Sequence, residues 1–75
     1  MPKLPRITAP EMLSVLRREG WYVDRQTGGH LQLRHAQRHG TVTVSRHSHA
    51  IIKPAVLMSI LSQAGLNVDE LRRKL

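Results

Sequence analysis

Seventy-five residues make one small domain, 1–75, with no room for a second core. Twelve Lys+Arg against five Asp+Glu leave a net charge of +7, which makes a polyanion the natural partner. The absence of cysteine excludes disulfide frameworks, thiolate zinc sites and cysteine nucleophiles. No apolar run approaches the roughly 20 residues of a membrane span, and the first residues lack the apolar core of a secretory signal. A hydrophobic content of 40% is enough for a globule and too high for a disordered basic tail, and together these bounds give the expectation of one soluble, basic, cytoplasmic domain.

Met1 to Ile7 carries two prolines and little pattern, and reads as a loose N-terminal arm. Thr8-Ala9-Pro10-Glu11 is a helix start: the Thr8 hydroxyl can accept a first-turn N–H, and Glu11 stands at the reciprocal position of a capping box. Pro10 loses no hydrogen bond there, because first-turn N–H groups are unpaired in any helix. Met12, Leu13, Val15 and Leu16 make the apolar stripe, and Gly20 ends the helix.

The period then changes to two. Trp21 to Arg25 reads as a strand with Trp21 and Val23 on one face, Gln26-Thr27-Gly28-Gly29 as a turn whose paired glycines permit positive φ, and His30 to His35 as a second strand. Leu31 and Leu33 point one way, and His30, Gln32 and Arg34 the other. A turn through Gln37-Arg38-His39-Gly40 leads to a third strand, Thr41 to Ser45, with Val42 and Val44 inward. Arg46 to Lys53 reads as a basic, His-containing loop. Pro54 opens a second helix with Leu57, Ile60, Leu61 and Ala64 facing the core, and Gly65 stops it. Asn67 can cap a last short helix, Val68 to Leu75.

The fold class is therefore α+β: a two-layer sandwich in which two helices cover one face of a three-stranded antiparallel sheet, α-β-β-β-α, with a short C-terminal helix. The layout resembles the double-stranded RNA-binding domain (dsRBD) fold. It leaves the other sheet face open, carrying His30, Gln32, Arg34, Thr41, Thr43 and Tyr22. Fold analogy alone does not give function.

The acids Glu11, Glu19, Asp24, Asp69 and Glu70 are scattered, whereas a two-metal nuclease needs carboxylates that converge. Phosphodiester chemistry here is expected to need no metal and no cofactor. Histidine is the natural proton carrier at neutral pH, and His30 is the strongest of the five: it follows a glycine turn that lets a nucleic-acid backbone approach, and lies beside Gln32 and Arg34. The opposing reading is that His30 is an ordinary polar residue of a basic surface. His35, His39 and His49 are expected to stay solvated near turns and loops. Arg25, Arg34, Arg38, Arg46 and Lys53 cluster around the meander, where they can track phosphates. The basic residues Arg17, Arg18, Arg72, Arg73 and Lys74 read as solvated helix faces. Trp21 is expected in the core, which leaves Tyr22 as the better base-stacking candidate.

Gly20-Trp21, Arg25-Gln26 and then Gly28-Gly29-His30 entering a strand resemble the core motif of HicA-type toxins, the YcfA-like mRNA interferases. Val42-Thr43-Val44 with His47 three residues on, Lys53-Pro54 opening a helix, and Leu57 to Leu66 fit the second half of the same family, so the resemblance spans about Glu11 to Leu71. It implies a small ribonuclease of dsRBD-like fold that cleaves messenger RNA and is neutralised by a HicB-type antitoxin covering the active face. It also implies His30 as the catalytic general acid/base, with Gly28 and Gly29 as the tight turn before it. Gln26, Arg34, His47 and Lys53 are the expected RNA contacts. One imidazole cannot sit on both sides of an in-line displacement at once, so water, His47 or Lys53 completes the proton transfer. The family commonly has Gly-Ser where this chain has Gly28-Gly29, and often a proline where it has Ser45. The alternative function is a non-catalytic RNA-binding module. A third is an interaction domain whose basic face binds an acidic partner.

Overall fold

The computed structural model describes residues 4–45 and 50–75. The element order is α1 (Ala9–Arg18), β1 (Trp21–Thr27), β2 (His30–His35), β3 (Val42–Ser45), α2 (Pro54–Ala64) and α3 (Val68–Arg73). The strands form one antiparallel sheet in the order β1-β2-β3, so the α+β architecture expected from the periodicities is the one observed.

Each helix begins where its capping chemistry dictates. At α1 the Thr8 side chain accepts from the Glu11 N–H, and the Glu11 carboxylate accepts from the Thr8 N–H at 3.0 Å. Asn67 and Glu70 repeat the arrangement at α3, with the Glu70 N–H donating to Asn67 Oδ1 at 2.8 Å. Pro54 opens α2, and the chain leaves it through Gly65, where the Leu66 N–H returns to the Leu61 carbonyl at 2.9 Å.

The helices lie over one face of the sheet. Met12, Val15 and Leu16 of α1 and Leu57, Ile60, Leu61 and Ala64 of α2 bury against the inward residues of the strands. Leu31 and Leu33 pair with Val44 and Val42, so these four aliphatic side chains share one face. Trp21 is 3% exposed and belongs to this core, as its strand position implied. Val23, expected beside it, is 37% exposed: it stands on an edge strand, beyond the cover of the helices.

Three local expectations are revised. The described part of the N-terminal arm is tied down at its end, because Ile7 is buried and its carbonyl accepts the Ile52 N–H at 2.8 Å. The first hairpin turn is shorter than the four residues expected: Gln26 and Thr27 continue β1, Thr27 pairs with His30, and Gly28-Gly29 alone make the turn. Only Gly28 takes a positive φ, of 58°, as the first central residue of a II′-type hairpin turn requires. Finally, α3 is anchored. Leu71 is fully buried, Arg18 Nη2 donates to the Lys74 carbonyl at 2.6 Å, and Lys74 pairs with Glu19 at 2.9 Å. Arg18 and Lys74 therefore join two helix ends while Arg18 remains exposed.

Candidate functional site

The face of the sheet turned away from the helices is built by alternation along β2. Leu31 and Leu33 are buried, so His30, Gln32 and Arg34 take the opposite side, and His30 and Arg34 are exposed. Register then fixes their neighbours. Thr27 of β1 and Ser45 of β3 are the direct partners of His30; Arg25 and Thr43 flank Gln32; Tyr22 faces Arg34. Direct cross-strand partners point to the same face with Cβ atoms about 5 Å apart. The imidazole of His30 thus stands between two hydroxyl-bearing positions.

A bulge decides which β1 residues join this face. Val23 pairs with Leu33 and Arg25 with Gln32, so Asp24 is an extra residue without its own partner. The insertion shifts the alternation of β1 by one. Arg25 and Thr27 turn outward as a result, while Gln26 falls opposite buried Leu31, on the parity of the helix-covered side. Gln26, an expected RNA contact, therefore falls on the opposite parity from His30, whereas Arg25 and Thr27 share the face of His30. The Asp24 carboxylate reaches the same outer face, where Oδ2 lies 3.3 Å from Arg34 Nε.

Lys53 is exposed at the N-terminus of α2 and shares with Ser45, Ala50, Ile51 and Val56 the wall of a groove of about 300 Å³. Ser45 thus links the neighbourhood of His30 to that of Lys53. His47 and the other loop residues Arg46 and His49 lie outside the described residues. Arg38, expected to track phosphates, is exposed and donates from Nη1 to the Ala64 carbonyl at 3.1 Å, helping to close α2.

The two histidines that bound β2 have different fates. His35, expected to stay solvated, is half-buried. Its Nδ1 accepts the Gln37 N–H at 3.0 Å, so Nε2 carries the proton and donates to the Glu19 carbonyl at 2.8 Å. The ring meets Trp21 edge-on with centroids 5.2 Å apart. Gly20, at φ 97°, backs onto the imidazole so closely that a Cβ there would lie 2.6 Å from His35 Nε2. Gly20 and Trp21 of the sequence motif are thus packing partners of His35. By contrast, no side-chain hydrogen bond or ion pair among the described residues engages His30.

Among the described residues no three His, Asp or Glu side chains converge as metal ligands, and no helix is long and apolar enough to cross a membrane. Thr27 and Ser45 are the residues of this face that sequence reasoning passed over, and Arg25, read there only as one of the basic residues around the meander, joins them. Ser45 was legible from the alternation of its strand; the facing of Thr27 and Arg25 required the bulge. No curated protein matches the chain. A family model described as the HicA toxin of bacterial toxin-antitoxin systems matches residues 9–66, from the start of α1 through the end of α2. That match takes in the helix, the meander and the turn that carry the open face, and the chain belongs to the HicA toxin family.

Proposed function

We propose that this toxin is an endoribonuclease that cleaves messenger RNA in the cytoplasm without a metal ion, with His30 as general acid/base. The observation that carries the reading is the contrast between the two β2 histidines. An imidazole that moves protons needs at least one ring nitrogen open to substrate. His30 meets this on an exposed, hydroxyl-flanked and cationic face, whereas His35 has both nitrogens occupied by main-chain groups.

RNA supplies its own nucleophile. A base takes the proton of a 2′-hydroxyl, the 2′-oxygen bonds to the adjacent phosphorus, and the P–O5′ bond breaks as the leaving oxygen takes up a proton. The products are a 2′,3′-cyclic phosphate and a 5′-hydroxyl. His30 provides one of the two transfers and water, His47 or Lys53 the other. Negative charge gathers on the phosphorane oxygens during the displacement; in this reading Arg25, which shares the open face through its pairing with Gln32, offsets it, with Lys53 as a second cation. A HicB-type antitoxin that covers this face would bury His30 and neutralise the surrounding charge, blocking RNA both sterically and electrostatically.

The test is incubation of a long single-stranded RNA with the purified toxin in EDTA, in parallel with His30→Ala, followed by identification of the product ends. Cleavage that persists in EDTA, disappears in the variant and leaves 2′,3′-cyclic phosphates supports the mechanism. Equal RNA binding by both proteins with no cleavage by either replaces it with the non-catalytic binding module.

A further inference from the structure

We propose that the open sheet face is a track for single-stranded RNA, and that Tyr22 and Arg34 grip a base about two nucleotides from the phosphate at His30. The proposal rests on the ribonuclease reading and adds to it a substrate register and a specificity site.

The register places the outward residues in three successive rows. Thr27, His30 and Ser45 form the first, Arg25, Gln32 and Thr43 the second, and Tyr22 with Arg34 the third. Rows are two residues apart on β2, so each step advances about 6.7 Å and the whole track about 13 Å. That length suits about two nucleotides of an extended strand.

Stacking needs an exposed ring, and the chain offers little choice. It has one tryptophan, one tyrosine and no phenylalanine. Trp21 is buried against His35, whereas Tyr22 is 50% exposed on the open face. Its cross-strand partner Arg34 is held through Nε by Asp24. A planar guanidinium beside an aromatic ring makes a platform for a base. The Asp24 carboxylate repels phosphate at that same row, so the third row favours a base over the backbone. The first and second rows, with His30 and Arg25, carry no acid and suit the phosphates. The bulge at Asp24 thus does two things: it turns Arg25 outward for the backbone and fixes Arg34 for the base.

The test uses the full chain carrying His30→Ala as a binder, with fluorescence anisotropy on labelled single-stranded RNA of about ten nucleotides. Tyr22→Thr keeps strand preference and removes the ring, and is expected to weaken binding roughly 5- to 100-fold with the salt dependence unchanged. Tyr22→Phe is expected to bind as the parent does. Arg25→Ala should instead flatten the salt dependence by about one ion. With His30 intact, Tyr22→Thr should raise KM and broaden the set of cleaved sites, whereas Tyr22→Phe preserves them. Parental binding and unchanged cut sites in a folded Tyr22→Thr variant would overturn the track while leaving the ribonuclease reading intact. If the wild-type toxin neither binds nor cuts single-stranded RNA, both fall.

Discussion

The Nε2–H of His35 donates to the main-chain carbonyl of Glu19 across 2.8 Å, joining the last residue of β2 to the end of α1. With the Trp21 ring at its edge and Gly20 against it, this imidazole fixes how the first helix turns into the first strand. His30 begins the same strand on the opposite parity, and therefore faces the open side. Two residues of identical chemistry are divided between the packed side and the open side of the sheet by five steps along one strand.

Replacing His35 by Ala should destabilise the fold. The Glu19 carbonyl and the Gln37 N–H each lose a partner and Trp21 loses its edge contact, for a total of about 1–3 kcal/mol. Thermal unfolding followed by tryptophan fluorescence should show a melting point lower by roughly 5–15 °C. A variant that melts with the parent would remove the structural role assigned to this ring.

His30→Ala should behave in the opposite way. The side chain is exposed and bonded to nothing among the described residues, so stability should remain within about 0.5 kcal/mol of the parent. RNA cleavage should fall at least about 100-fold. Calorimetry and a single-turnover cleavage assay on one preparation separate the two effects.

The two glycines of the first hairpin should respond unequally. Gly28 has a left-handed φ of 58° and open space where a Cβ would stand, so Gly28→Ala meets backbone strain alone, about 1 kcal/mol. Gly29 carries no such requirement. Gly29→Ser, which restores the residue common in the family, should keep stability within about 0.5 kcal/mol and place a hydroxyl next to His30. Cleavage should then rise, by up to about tenfold for one added hydrogen bond to phosphate. Urea unfolding and initial cleavage rates measure these outcomes, and lower activity in Gly29→Ser would count against a phosphate-orienting role for this position.

The family match ends at residue 66, yet α3 is part of this protein's core. Leu71 is fully buried, and Leu71→Ala should cost about 2–5 kcal/mol. For a chain of this size, total stability is on the order of 4–11 kcal/mol, so urea titration should show the midpoint moving by a large fraction. Arg18→Ala, which loses the bond to the Lys74 carbonyl, should cost less, about 1 kcal/mol.

Much of the architecture was legible because local chemistry carried it. Thr8 with Glu11, Pro54, Gly65 and Asn67 mark helix boundaries without reference to the rest of the chain. The aliphatic alternation Leu31, Leu33, Val42, Val44 fixed both the inner face of the sheet and the exposure of His30. The family resemblance added the role expected of that histidine. It did not reveal that Gly20 and Trp21 serve His35, since that contact joins residues far apart in sequence.

The amino-acid sequence by itself determined the order of elements, the basic charge, the face on which His30 lies and the family. These depend on residue type, spacing and strand periodicity, which any local window contains. Only the tertiary structure decided which residues surround His30. One inserted residue, Asp24, reverses the alternation of β1, turning Arg25 and Thr27 to the open face and Gln26 away from it. A bulge is defined by the strand opposite, so its position is set by pairing and packing rather than by any pattern within β1.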